Sequence, residues 1–306
     1  MTILAYLFRN TENTMIQKFY IPILLILIFI LFMDLPGLAQ GRYASGVILD
    51  RHTEMPVAYA NVGVKSKFTG TVSDSLGYFS LRLDQLSSND TIRVFRMGYS
   101  NELVPVEKLS AEDTAPFVIL LEQYALEMSG FTVTTKAMNG ERNFGSLSQR
   151  SVFAYAFNPS KSRISENLGR EIAIEFDTKN RQIMPKKLKF VLSTNQIADL
   201  VFRVNIYVAQ EQSSGFPDRK VFEKVFDIED TAIGEVEVAL DAADLQLEGK
   251  VWLSLEFVGY QNASDQGILT MPVKYPFGKM YIRDSSLGEW KKVQGSPSIL
   301  LEAETY

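Results

Sequence analysis

The feature that most constrains this chain is a period-two alternation of apolar and polar residues. It recurs from Tyr43 almost to the last residue, in short runs separated by Gly, Pro, Asn and Asp. That period places every second side chain on one face of an extended strand. Turn signals roughly every 8 to 12 positions then call for many short strands rather than helices. The expected fold class is therefore all-β, and a length of 306 residues suggests two such units.

Between Tyr43 and Tyr124 the candidate strands are 44–50, 58–65, 70–74, 78–83, 91–97 and 116–122. Phe79, Leu81 and Leu83 should share a face, as should Ile92, Val94 and Arg96. The run Ser73-Asp74-Ser75-Leu76-Gly77 reads as a hairpin loop, with an Asp that bonds local amides and a Gly suited to positive φ. Residues 125–149, rich in Gly, Ser, Thr, Asn and charge, read as a linker with one strand at 131–135. Strands resume at 169–177, 186–193, 201–209, 235–240, 251–258, 279–284, 289–293 and 298–303. This second series, with polar opposite faces, fits an antiparallel jelly-roll or related sandwich over residues 150–306.

Residues 1–39 read as a secretory signal peptide. Arg9 and Lys18 precede the apolar run Ile21 to Met33, and Gly37-Leu38-Ala39 supplies a small-x-small cleavage pattern. The run falls short of the roughly 20 apolar residues a spanning helix needs, so an uncleaved anchor is the alternative and a cut after Ala39 the expectation. Met15 offers a second start that gives a more compact leader. No apolar run after residue 39 reaches membrane length, so no membrane span is expected in the mature chain.

Composition excludes several chemistries. With no Cys and the single His52, the chain has no disulfide, thiolate ligand, cysteine nucleophile, lipid-anchor cysteine or multi-histidine metal centre. A net charge of -5, from 31 basic and 36 acidic residues, offers no footprint for nucleic acid.

The series Gly46-Val47, Asp50, Pro56, Ala60-Asn61-Val62, Gly70-Thr71, Asp74, Gly77-Tyr78-Phe79, Ile92, Gly98-Tyr99 and Leu120-Leu121-Glu122 resembles the carboxypeptidase-like regulatory domain family. Ser73 stands where that family usually has Thr. The resemblance covers residues 40–124. It implies a small transthyretin-like β-sandwich, found in exported proteins of Bacteroidetes-type bacteria and without peptidase chemistry of its own. Residues 126–135 are similar to the segment that joins this domain to the plug of TonB-dependent receptors, yet too little chain follows Thr135 for a plug and a large barrel. The second region resembles jelly-roll modules, broadly like galactose-binding and carbohydrate-binding sandwiches, through Phe202 to Tyr207, Gly215-Phe216-Pro217, Val251 to Glu256, Gly278 to Tyr281 and Gly288-Glu289-Trp290.

Candidate sites are few. His52 reads as a solvated turn residue. The carboxylate pairs Glu235/Glu237 and Asp241/Asp244 read as strand-face and turn positions rather than a glycosidase pair, and neither Asp241 to Asp244 nor Asn262 to Asp265 has EF-hand spacing. Tyr260, Tyr275, Phe277, Tyr281 and Trp290 are candidate ligand-binding rings, with core packing as the alternative. Ser75, Thr91, Thr114 and Thr231 resemble the Asp-Ser/Thr-apolar acceptors of Bacteroidetes-type O-glycosylation and are expected in turns or loops. The expected function is a non-catalytic envelope protein, periplasmic, outer-membrane associated or at the cell surface, that binds a glycan or a protein and needs no cofactor. The alternatives are a hydrolase with a cryptic carboxylate site and a purely structural surface-assembly component.

Overall fold

The alternation resolves into two antiparallel-rich sandwiches. The structure is a computed structural model and describes residues 41–65, 67–109, 116–124, 140–159, 163–210, 215–228, 232–242, 245–261 and 265–305. The first sandwich comprises β1 (Tyr43–Asp50), β2 (Asn61–Val64), β3 (Thr69–Val72), β4 (Tyr78–Arg82), β5 (Thr91–Phe95), β6 (Glu102–Pro105) and β7 (Phe117–Leu121). Its sheets run β4-β1-β7 and β3-β2-β5-β6, with β1 and β7 parallel. Phe79, Leu81, Leu83, Ile92 and Val94 all point into its core, as the alternation requires. Arg96 lies beyond the end of β5 and pairs with Glu223 of the second sandwich instead.

Two details differ from the sequence reading. Strand β6 was not anticipated, because its sequence ELVP buries only Val104 and so carries no alternation to read. The loop after Val72 is not a hairpin: β3 and β4 belong to opposite sheets, so residues 73–77 turn a corner between them. The local chemistry is as expected. Asp74 Oδ1 accepts the N–H groups of Leu76 (2.8 Å) and Tyr78 (2.9 Å), and Gly77 has φ of 78°.

The second sandwich comprises β8 (Gly140–Ser146), β9 (Phe153–Asn158), β10 (Glu171–Asp177), β11 (Ile183–Leu192), β12 (Thr194–Asn195), β13 (Leu200–Val208), β14 (Arg219–Ile228), β15 (Gly234–Ala239), β16 (Lys250–Gly259), β17 (Leu269–Arg283), β18 (Lys291–Pro297) and β19 (Ile299–Thr305). The larger sheet runs β12-β17-β10-β16-β13-β14, with β9 and β18 also paired to β17, and faces β15-β11-β19-β8. Phe157, Phe190, Phe202 and Phe257 fill the space between, with Phe202 5.1 Å from Phe157 and 5.7 Å from Phe257. Strand β8 lies inside the stretch read as linker. It adds an edge strand to β19, and Phe144 is buried opposite Leu301. The strand expected at 131–135 lies outside the described residues. Strand β17 is 15 residues long, whereas only its end was legible, because Lys274 to Lys279 interrupt both the alternation and the pairing with β18.

Arg42–Tyr306 forms one compact unit, and the reason lies on the outer face of the larger sheet. Val201 of β13 and Val258 of β16 pack there against Val72 of β3, with Tyr59, Leu168 and Val225 around them. Glycine permits the approach. A Cβ at Gly63 or Gly70 would stand 2.4 Å or 2.1 Å from the Ser286 carbonyl oxygen.

Candidate ligand groove at the seam

The outer face of the large sheet carries charge that is buried on both sides. Register across β17, β10, β16 and β13 aligns Arg283, Glu171, Glu256 and Arg203 in one row, with Tyr281, Ala173, Ser254 and Asn205 in the next. Directly opposed glutamates repel, and the neighbouring donors offset this. Glu256 accepts hydrogen bonds from Arg203 Nε (2.9 Å), Asn205 Nδ2 (2.9 Å) and Asn61 Nδ2 (2.6 Å). Glu171 accepts from Asn205 Nδ2 (2.8 Å), the Tyr207 hydroxyl (3.0 Å) and the Ser254 hydroxyl, and pairs with Arg283.

The first sandwich completes this network. Arg203 donates through Nη1 to the Tyr59 carbonyl and through Nη2 to Asn61 Oδ1, each at 2.7 Å, and Asn61 Nδ2 also reaches the Ser286 hydroxyl at 2.8 Å. Arg96 pairs with Glu223 at 2.6 Å. Burial alone would raise the Glu256 carboxyl, but Arg203, Lys220 and Arg283 outweigh it and hold the group down at about 2. Glu223 is likewise raised by burial and brought to about 2 by Lys220, Arg203 and Arg96. These carboxylates are locked as anions, and a general acid needs the opposite tuning.

Beside this weld lies a groove of about 510 Å³ whose walls come from both sandwiches. Three tyrosines line it: Tyr59, Tyr78 and Tyr260. Tyr59 has φ of 54°, a left-handed conformation costly for an aromatic residue, and is held there by its N–H to the Asp74 carbonyl (3.2 Å) and by Arg203 on its own carbonyl. Tyr78 follows the Asp74 turn and is 51% exposed. Tyr260 donates to Asp265 Oδ1 at 2.9 Å; burial and that carboxylate push its hydroxyl up to about 12. Ser165 binds the same carboxylate through its N–H (2.8 Å) and hydroxyl (2.7 Å) and also lines the groove, as do Asp74, Ser75 and Gln261. Flat ring faces with scattered hydroxyl, amide and carboxylate groups suit a polyhydroxylated ligand.

The five candidate rings separate. Tyr260 lies in this groove. Tyr281 is fully buried, edge-on to Trp252 and Phe216 with its hydroxyl on Glu175, and therefore has no face to offer: that assignment is corrected, because the outer face of its strand is covered rather than solvated. Trp290 packs edge-on against Tyr207 and lies 4.9 Å below the Arg283 guanidinium. Tyr275 and Phe277 are 50% and 74% exposed on β17, and Tyr275 lies 4.9 Å from Phe153. Tyr59 and Tyr78 were missed, although both sit in the motif-bearing stretch around Pro56 and Gly77.

Of the modification candidates, Ser75 is exposed on the corner loop, Thr91 is exposed but begins strand β5 rather than a loop, and Thr114 and Thr231 lie outside the described residues. His52 sits exposed, 3.7 Å from Glu122. Glu237 bridges Lys187 and Lys189, and Asp241 pairs with Lys224, while Asp244 and Asn262 lie outside the described residues. Among the described residues no group of three or more His, Asp or Glu could hold a metal ion.

Residues 44–133 match the model of the CarboxypepD_reg-like domain. The TonB-dependent receptor SusC of Bacteroides thetaiotaomicron is 38% identical over 89 residues, which is 29% of this chain and 8% of the receptor. Among solved structures, a clostridial cysteine protease, Cwp84, after propeptide cleavage is 12% identical with a TM-score of 0.39, covering 86% of this chain and 71% of that one. Carbohydrate-binding modules of a β-sandwich superfamily are 9% identical with a TM-score of 0.19, over 82% and 97% of the two chains. Neither score supports an argument about this protein. The sequence match, laid over the two facing sheets of β1 to β7, shows that the chain carries a CarboxypepD_reg-like domain at residues 44–133.

Proposed function

We propose that this protein is a non-catalytic binding component of a Bacteroidetes-type cell envelope, and that it holds a glycan in the seam groove. The observation that carries the reading is the convergence of Tyr59, Tyr78 and Tyr260 from two sandwiches onto one groove of about 510 Å³. The buried network beside it fixes both walls, so the rings are preorganised and little ordering entropy is lost on binding. Likeness to part of a TonB-dependent receptor supports the envelope setting and, with the signal-peptide-like pattern of residues 1–39, export. No helix among the described residues is long and apolar enough to cross a membrane. The Glu223 and Glu256 carboxyls, held low by neighbouring cations, are not tuned as general acids.

A glycan array followed by calorimetry on the hits tests this. Tyr78→Ala should weaken binding by about tenfold or more with the fold retained by circular dichroism, since an exposed ring contributes contact but little stability. Folded protein that retains no glycan on the array overturns the proposal. A second reading, protein docking, is favoured by Val152 at 96%, Phe277 at 74% and Phe153 at 51% exposed around β9 and β17.

A further inference from the structure

The seam holds a second cavity, about 300 Å³ in volume, which shares no lining residue with the tyrosine groove. Its walls include Arg93, Phe95 and Tyr124 of the first sandwich and Tyr207, Lys220 and Arg283 of the second. Arg219 adds a fourth cation, and Asp218 is the one carboxylate in the lining.

Two of these cations are already paired with buried carboxylates, Arg283 with Glu171 and Lys220 with Glu223, whereas no carboxylate among the described residues pairs with Arg93. Among the described residues Arg93 bonds only the neutral Asn101 Oδ1, through Nε (3.1 Å) and Nη2 (2.9 Å). Arg283 uses, among the described residues, Nη2 alone, for Glu171 and for the Tyr207 hydroxyl at 3.3 Å, and its buried Nε has no partner there. Lys220 has one hydrogen bond among the described residues, to Glu223 at 3.0 Å. Burial lowers Arg93, and nearby Arg283 lowers it further; burial also lowers Lys220, whereas for Arg283 the effect of burial is outweighed by Glu171, which raises it. Partly dehydrated like charges of this kind gain most from an anion placed among them.

The remaining lining gives the shape. Phe95 has Arg93 (5.2 Å from the ring centre) and Lys220 (5.4 Å) over its ring, Tyr207 is buried under Lys220, and Tyr124, 46% exposed, supplies the open ring face. Asn61 and Asp218 add polar groups suited to hydroxyls. A simple inorganic anion would use the charge and leave the rings without contacts. We infer that this cavity binds a carboxylated sugar, a uronic acid residue, with its carboxylate at Arg93 and its ring against Tyr124.

Titration of the full chain at low salt with methyl glucuronide, read by calorimetry and by the fluorescence of Trp290 beside Arg283, tests the assignment, with methyl glucoside, acetate and inorganic phosphate as comparison probes. Saturable binding of the glucuronide, about tenfold or more tighter than any of the other three, is expected. Arg93→Gln should weaken it about tenfold, Asp218→Asn on the exposed rim should strengthen it about twofold to threefold, and Tyr78→Ala should leave it unchanged. No binding by folded protein, equal binding of the glucoside, phosphate as tight as the glucuronide, or loss on Tyr78→Ala overturns the inference. If Arg93→Gln does not fold, Asp218→Asn decides alone, and an unchanged affinity in that variant is equally fatal. The tyrosine groove can fail on the array without touching this result.

Discussion

At the scale of single residues, Arg203 and Glu256 matter most, because each is fully buried and each is neutralised chiefly by the other. Removing one partner of such a pair leaves an uncompensated charge, so Glu256→Ala should destabilise the protein by about 3–5 kcal/mol, measured by urea unfolding. The pH dependence follows from the low Glu223 and Glu256 carboxyls. Both lie below their ordinary range in the folded state, at about 2, so their stabilisation is complete above roughly pH 5 and is lost as pH falls toward 2. The thermal midpoint should drop steadily across that window, and the drop should be shallower in Glu256→Gln, whose midpoint starts lower. A flat midpoint between pH 5 and 3 would count against the charge assignment. Neither residue was legible as a structural centre. Alternation placed Arg203, Asn205, Ser254 and Glu256 on the polar face, which is correct, but a polar face is ordinarily a wet one. The overlooked signal is that Val201, Tyr207, Trp252 and Val258 share that face, so the strands were apolar on both sides.

Elements were more legible than sites. The strands with clean alternation, such as VFRVNIYVA and VWLSLEFV, fall on β13 and β16 within a residue of their expected ends. Those missed are β6, β8, β9, β12 and β14, edge or peripheral strands. β6, β8 and β14 bury few side chains, β14 being partly exposed along nearly its whole length, so no strong period is imposed on their sequence; β9 does alternate, with Tyr155 and Phe157 in the core, but it is only six residues long. Contact between elements follows a stricter rule at β2 and β3, where Gly63 and Gly70 face Ser286. Gly70→Ala places a methyl group against backbone that has nowhere to move, so a loss of about 1–3 kcal/mol is expected, read as a lower thermal midpoint. The same variant should also weaken glycan binding, since the displaced β3 carries Thr71 and Val72 of the groove wall.

For the whole molecule, the consequence of the weld is that the two sandwiches should unfold as one. Scanning calorimetry is expected to show a single transition for the wild type; Asn61→Leu, which removes the bonds to Glu256, Arg203 and Ser286, should split or broaden it. Two transitions in the wild type would contradict this. The amino-acid sequence by itself determined the all-β class, the first sandwich with its Asp74 turn, and the main strands of the second, because period and turn chemistry are local properties of consecutive residues. Only the tertiary structure decided that the face bearing Arg203 and Glu256 is dry, that Tyr281 is core, and that Tyr59, Tyr78 and Tyr260 share one groove. Those outcomes depend on which surfaces meet across some 200 positions of chain, as Asn61 meets Glu256 at a separation of 195. The burial that turns a polar strand face into an interface comes from the partner sandwich, and no pattern within the strand records it.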